Sequence, residues 1–373
     1  MVTMDSRARE AIRGLSTYQP GTPIEDVKRQ LKLSSVIKLA SNENALGPSP
    51  KALAALKRAA GSLNRYPDAA CRTLRAALAK RLKVEPSSLI FGNGSDELIV
   101  LALRAFVDPG DGVVVASPTF LIYELQSKVC GASVTVVPLK NFRYDLPAMK
   151  AAVSAHTKLV FIANPDNPTG SYVTKRELEA FLRGLPAQTL VVLDEAYYEF
   201  VSAPDYPQSI RLAADRPLIV TRTFSKAYGL AGLRIGYGIA SPSLIAAMDA
   251  VREPFNVNSL AQAAATAALD DTAFLAKSRK LVDEGRRYVT GEFDRLKLRY
   301  VPSAANFILL QPGIGAAGIA QALLRRGVIV REMSGWKLSG CLRVTIGTMA
   351  ENRRFIAALQ RSLSKGVETG GHA

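Results

Sequence analysis

Six short apolar runs, each followed by polar residues and most by a helix-like stretch, constrain the fold of this 373-residue chain more than any other feature. They are Leu89–Phe91, Val113–Val115, Val134–Val137, Leu159–Ala163, Leu190–Leu193 and Leu218–Thr221. The runs are continuous rather than alternating, which is the pattern of strands buried on both faces. A helix is expected from Asp96 to Phe106 after the first of them. The alternation predicts an α/β fold with a mostly parallel central sheet covered by helices. In such sheets ligands bind beyond the carboxyl ends of the strands. Gly94-Ser95, Phe120, Asn167, Asp194 and Lys226 all fall just past predicted strand ends, so residues remote in sequence can meet in one crevice.

The length exceeds what one hydrophobic core usually supports, roughly 250–300 residues, so two domains are expected. The pattern divides into an N-terminal arm over 1–37, a large domain over 38–272 and a smaller α/β C-terminal domain over 273–373. The last opens on a long charged helix to Arg295 and continues with strands near Phe307–Leu310, Val328–Val330 and Leu342–Ile346. Met1–Leu15 is charged and lacks the apolar segment of a signal peptide, and no run is long enough for a membrane helix. The three cysteines, Cys71, Cys130 and Cys341, are far apart and match no disulfide, metal or redox spacing, which suggests a reducing, cytoplasmic setting. The two histidines, His156 and His372, are isolated, so neither a histidine metal site nor a Ser-His-Asp hydrolase is expected. The net charge of +16 is spread along the chain rather than clustered, which argues against nucleic acid and fits anionic small molecules.

The strongest chemical signal is Thr223-Phe-Ser225-Lys226 with Gly232-Leu-Arg234-Ile-Gly236 behind it. An amine that forms an imine must be partly neutral, which burial and nearby cations favour. The hydroxyls of Thr223 and Ser225 and the guanidinium of Arg234 suit a phosphate beside that lysine. Asp194, ending a buried strand, needs a cationic partner such as a protonated ring nitrogen. Asp194-Glu195 also has the form of a magnesium-binding strand end, but the chain has no phosphate-binding Gly-x-x-x-x-Gly-Lys-Ser/Thr loop to go with it. Tyr197 could donate to a ring oxygen, and Asn167 offers an amide donor at a turn made rigid by Pro168. Asn167 lies in Asn-Pro-Thr-Gly, which is equally the composition of a plain turn. Gly92-Asn-Gly94-Ser95-Asp96 exposes backbone N–H groups at a helix N-terminus, an anion site or a simple strand–helix turn. Phe120 could stack on a flat ring or belong to the core.

Taken in order, Tyr66-Pro67-Asp68, Gly92-x-Gly94-Ser95, Asn167-Pro-Thr-Gly, Asp194-x-x-Tyr197, Ser225-Lys226 and Arg234 resemble the fold-type I aminotransferases that use pyridoxal 5'-phosphate (PLP). Within that group the chain is similar to the histidinol-phosphate aminotransferase family. Tyr18-Gln-Pro-Gly21, Ser41-Asn-Glu-Asn44, Val328-Ile-Val-Arg331 and Cys341-Leu-Arg343-Val-Thr-Ile-Gly347 carry that similarity. Phe120, where tyrosine is more common, and Ala45, where proline is, depart from the pattern without touching the imine chemistry.

The resemblance implies roles for individual residues. Lys226 would hold PLP as a Schiff base and shuttle protons. Asp194 would pair with the ring nitrogen, and Asn167 and Tyr197 would hold its phenolic oxygen. Ser95, Asp96, Thr223, Ser225 and Arg234 would hold the phosphate, with Tyr66 reaching it from the partner of a homodimer. Phe120 would stack on the ring. Tyr18, Asn44, Arg331 and Arg343 would contact substrate. The implied reaction exchanges an amino group between glutamate and imidazole acetol phosphate, giving 2-oxoglutarate and histidinol phosphate in histidine biosynthesis. An aromatic amino-acid aminotransferase is the alternative, with a PLP-dependent phospho-amino-acid decarboxylase behind it. A PLP-binding transcription regulator would need a DNA-binding domain, for which there is no room before Lys38.

Overall fold

A computed structural model describes residues 7–13, 15 and 21–367. Strand β1 (Ile37–Leu39) comes first. Then follow β2 (Leu89–Gly92), β3 (Gly112–Ser117), β4 (Ser133–Pro138), β5 (Thr157–Ala163), β6 (Leu190–Asp194), β7 (Leu218–Thr223) and β8 (Gly236–Ile239). The C-terminal part adds β9 (Arg299–Val301), β10 (Phe307–Gln311), β11 (Val328–Glu332) and β12 (Leu342–Thr345).

Among the described residues these strands form two sheets. The larger has the order β2-β8-β7-β6-β5-β3-β4, and every pairing between β7, β6, β5, β3 and β4 is parallel. Strand β8 alone runs against its neighbours β2 and β7. Every residue of β6 and β7 is buried. Successive side chains point to opposite faces, so both faces of the centre are covered. The aliphatic content of these strands follows from that: Val191, Val192 and Leu193 belong to the same apolar core as Leu98, Ile99 and Leu101 of the helix Ser95–Phe106.

All six runs read as strands are strands, each extended by one to three residues. Strand β8 was not anticipated. Its sequence Gly-Tyr-Gly-Ile is short and half glycine, a composition that by itself disfavours a strand. The glycines are required by contact. A Cβ on Gly236 would stand 2.5 Å from the Ser95 backbone nitrogen and 2.9 Å from the Arg222 carbonyl oxygen. Only glycine lets β8 slide beneath the start of that helix.

The second sheet has the order β1-β11-β12-β10-β9 and packs on helices 272–295, 316–325 and 349–367. Strand β1 pairs in parallel with β11, Ile37 opposite Val328. The start of the segment assigned to the large domain, 38–272, therefore lies in the C-terminal sheet, where Leu39 joins the core of Val328, Leu342 and Phe355. Local sequence cannot reveal this, because the partner strand is at the other end of the chain. No described helix is long and apolar enough to cross a membrane.

A buried ion pair joins β7 to the residue after β6. Arg222 Nη2 is 2.8 Å and its Nε 2.9 Å from Glu195 Oε2. Glu195 Oε1 also accepts from Ser209 Oγ at 2.6 Å, and Tyr198 stacks over the guanidinium with its centroid 3.4 Å away. Replacing Arg222 by Met would leave the Glu195 charge buried without its cation. The expected loss is about 3–5 kcal/mol, read as a lower urea midpoint at unchanged slope. An unchanged midpoint would mean that the pair contributes nothing to the fold.

Candidate active site

The carboxyl ends of β5, β6 and β7 open into a cavity of about 230 Å³. It is bounded on the other side by Ala40, Ser41 and Asn42, which follow β1, and by Arg331, Trp336 and Arg343 of the C-terminal sheet region. Of the residues expected at a site, Ser95, Asp96, Phe120, Asn167, Asp194 and Tyr197 line it, together with Thr223, Ser225, Lys226, Arg234, Arg331 and Arg343.

Asp194 is the last residue of β6 and is buried. Its Oδ2 accepts from the Tyr123 hydroxyl at 2.6 Å, and its Oδ1 from Thr221 Oγ at 3.1 Å and from the Ala196 N–H at 3.2 Å. Burial nevertheless pushes its carboxyl up to about 6. A cation at this point would restore the charged form. Lys226 lies three residues beyond β7 and reaches the Ser41 carbonyl at 3.4 Å. Burial, followed by the Arg343 charge, lowers its amine to about 8. Near physiological pH the amine therefore has a far larger neutral fraction than an ordinary lysine, which favours its use as a nucleophile or base.

The opposite end of the cavity is built to receive an anion. Gly94 has φ +83 and precedes the helix Ser95–Phe106, whose first N–H groups have no partner within the helix. A Cβ on Gly94 would collide with the Arg234 guanidinium. Arg234 itself adopts the left-handed conformation at φ +57, which a non-glycine residue holds only when its surroundings enforce it. Asp96 meets Arg234 Nη2 at 3.5 Å and so steadies the guanidinium. As a carboxylate it offers an anion only its backbone N–H. The Thr223 hydroxyl accepts from the Ser225 N–H at 3.1 Å and donates to the Ile235 carbonyl at 3.4 Å, which shapes the loop in which Ser225 lines the cavity.

Between these ends the walls are flat. Phe120 meets Tyr123 edge-on at 5.6 Å and lies 6.3 Å from the Trp336 ring. Asn167 Oδ1 accepts a hydrogen bond from Arg343 Nη1, so its amide nitrogen is turned away from that guanidinium. Arg343 is buried, and its Nη2 donates to the Ala40 carbonyl at 2.8 Å. Arg331 stands directly opposite Arg343 in the β11–β12 register. Like charges facing each other across two strands are unfavourable on their own, and an anion bound between them would remove the penalty.

A flat phosphorylated ring with a basic nitrogen and an aldehyde fits these groups. Anion donors lie at one end and a buried carboxylate waits for a cation at the other. The amine of lowered basicity, the planar walls and the amide and phenol donors lie around the space between. Residues that sequence reasoning did not single out are Tyr123, Asn42 and Trp336. Tyr123 is one helical turn past Phe120, a spacing that could have flagged it. Asn42 stood within the Ser41–Asn44 string.

Asn44, expected to touch substrate, does not line the cavity. Its Nδ2 donates to the Ala227 carbonyl at 2.9 Å and to Ser278 Oγ at 2.8 Å, and its Oδ1 accepts from the Leu46 N–H. Asn42, at φ +56, lines the cavity, whereas Asn44 braces the segment behind Lys226. Tyr66 also lies outside the cavity of its own chain. It is 83% exposed and stacked on Phe255 at 4.7 Å. Tyr18 lies outside the described residues. Among those residues no cluster of metal-ligating side chains occurs.

The aminotransferase class I and II family matches residues 34–359. A histidinol-phosphate aminotransferase from Moorella thermoacetica is 48% identical over 360 residues, covering 96% of this chain and 93% of that one. Histidinol-phosphate aminotransferase 2 from Pseudomonas fluorescens is 46% identical, covering 96% and 98%. Among solved structures, histidinol-phosphate aminotransferase from Sinorhizobium meliloti in complex with pyridoxal-5'-phosphate superposes with a TM-score of 0.88 at 32% identity, covering 97% and 99%.

The depressed amine of Lys226 has a consequence for the cofactor-free protein. Its folded value near 8 lies below the ordinary 10.5, so the unfolded chain holds the extra proton between those values and stability rises with pH across that window. Lys226→Met removes this burden. The variant is expected to melt higher than the parent below pH 8, with the gap closing as pH approaches 10.5. A gap that does not vary with pH would show that the amine is ordinarily basic.

Proposed function

Because the chain belongs to the class I and II aminotransferases, and within them to the histidinol-phosphate aminotransferases, we propose that it exchanges an amino group between glutamate and imidazole acetol phosphate with PLP as cofactor. The products are 2-oxoglutarate and histidinol phosphate, a step of histidine biosynthesis. The observation that carries the reading is the pairing of a buried amine of lowered basicity, Lys226, with a buried carboxylate, Asp194, at the ends of β7 and β6. Bound there, PLP supplies an aldehyde to take the amino group and a ring to delocalise the electron pair left at the substrate Cα.

The chain's own residues do the rest. Lys226 holds the cofactor and, as the base, takes the Cα proton and hands it on, since one amine on one face can serve both positions. Asp194 keeps the ring nitrogen protonated, and the Tyr123 hydrogen bond keeps Asp194 in place. Tyr197 and Asn167 donate to the phenolic oxygen. Ser95, Ser225, Arg234 and the helix N-terminus hold the phosphate, with Thr223 and Asp96 shaping that cradle. Phe120 covers the ring. Arg343 and Arg331 take the substrate's anionic end, a phosphate in one half-reaction and a carboxylate in the other. Their cross-strand juxtaposition supports this role.

The active unit in this reading is a homodimer in which Tyr66 reaches the partner's phosphate cradle. The exposed Tyr66–Phe255 stack supports a surface that a second copy covers. The free thiols of Cys71, Cys130 and Cys341 support a cytoplasmic location.

Three measurements test this reading. The PLP-loaded protein is expected to lose its visible absorption much faster with histidinol phosphate than with phenylalanine. The reverse order would make it an aromatic amino-acid aminotransferase, and the absence of any visible band would remove the PLP reading. Arg343→Lys keeps the charge but loses the guanidinium fork, so KM for both anionic substrates should rise by about ten-fold or more. Unchanged KM values would place the anion contact elsewhere. For the dimer, mixing Tyr66→Ala with Lys226→Ala subunits should generate activity that neither has alone, because a hybrid holds one intact site. No gain on mixing would mean that Tyr66 acts within its own chain or not at all.

A further inference from the structure

Around Asn42 the hydrogen bonds run in one direction. Asn42 is 1% exposed and lines the cavity. Its backbone N–H donates to Thr345 Oγ at 2.9 Å, and the Thr345 hydroxyl donates back to Asn42 Oδ1 at 3.0 Å. Asn42 Nδ2 then donates to the Tyr197 hydroxyl at 2.9 Å. Asn306 Nδ2 fixes the same residue from the other side by donating to its carbonyl at 3.0 Å.

A hydroxyl has one proton, and an amide nitrogen can only donate. Thr345 Oγ receives the Asn42 N–H, so its proton goes to Oδ1. That choice decides which way the Asn42 amide faces, with oxygen to Thr345 and nitrogen to Tyr197. Tyr197 must therefore accept from Asn42, and its own proton is left to point elsewhere. With the amide reversed, the Thr345 proton would lose this acceptor inside a buried cluster, which is costly. Tyr197 would then spend its proton on Oδ1.

We propose that Asn42 and Thr345 are positioning residues that hold Tyr197 as a hydrogen-bond donor toward the cofactor's phenolic oxygen. The inference rests on the PLP reading and deepens it. Neither residue needs to touch the reacting atoms. Thr345 ends β12 and Asn42 follows β1, so the direction of a phenol attached to the large sheet is set from the C-terminal one.

The test is a pH titration of the visible absorption of the PLP-loaded protein. An oxygen that loses a donor becomes more basic, so the midpoint moves up. Tyr197→Phe, which removes the hydroxyl, is expected to raise it by about one unit or more. Asn42→Asp replaces the donating nitrogen with an acceptor that captures the Tyr197 proton, and should raise it comparably. Beside Tyr197→Phe, Asn42→Asp should raise the midpoint by much less than it does in the parent, because no Tyr197 proton is left to capture. An added negative charge by itself would also raise the midpoint, but that effect would persist without the tyrosine hydroxyl. Additive shifts in the double variant would therefore overturn the proposal. Thr345→Val removes the fixing hydroxyl at similar volume and adds no charge. It should raise the midpoint when Tyr197 is present and leave it unchanged beside Tyr197→Phe, which keeps the proposal testable if Asn42→Asp fails to fold. Unchanged midpoints in both single variants also overturn it. A parent protein without a visible band would instead unseat the PLP reading.

Discussion

Withdrawing a carboxylate and an amine from water is expensive, and the two sheets together meet that cost at Asp194 and Lys226. Neither group is neutralised by direct contact with the other. Each is held by neutral partners, Asp194 by Tyr123 and Thr221, Lys226 near the Ser41 carbonyl. The burden appears as opposite displacements, the carboxyl raised to about 6 and the amine lowered to about 8. A cofactor with a basic ring nitrogen and a carbonyl carbon relieves both. The parallel strands β6 and β7 matter because their register places Asp194 beside Thr221, so both groups emerge at the same edge. The buried pair of Arg222 and Glu195 joins β7 to the residue after β6 and fixes the loop that follows.

The C-terminal sheet supplies a second kind of control. Arg343 reaches across to Asn167 and to the Ala40 carbonyl, so one buried guanidinium joins β12, the turn after β5 and the segment after β1. Its cation also contributes to the lowered basicity of Lys226. Substrate charge arriving between Arg331 and Arg343 would therefore be felt at the lysine through electrostatics alone, without any movement of the backbone.

Much of this was legible in the sequence because it depends on local pattern. Continuous apolar runs become buried strands wherever helices cover both faces, and the polar residues that follow β2, β5, β6 and β7 necessarily face one crevice. The aminotransferase motifs lie in those short post-strand segments. What escaped depends on contacts between distant parts of the chain. Strand β8 is hidden by glycines that packing under the helix Ser95–Phe106 demands. Asn42 and Asn44 look equivalent in sequence, yet one lines the cavity and the other donates to Ser278. Trp336 follows a glycine in a loop that shows no periodicity, and only the tertiary fold brings it beside Phe120.

The parallel pairing of β1 with β11 bears on how the chain is assembled. During synthesis from the N-terminus, Ile37–Leu39 emerges early and its partner Val328–Val330 very late. The large sheet can form in the interval from strands that are close in sequence. The edge of the small sheet cannot, because a contact of such long sequence separation must wait for loop closure over nearly the whole chain. Ala40, Ser41 and Asn42 are tethered to β1, so one wall of the cavity takes its place only at that closing event. The cavity that holds Lys226 and Asp194 is therefore walled on all sides only once the chain has been made through Arg331 and Arg343.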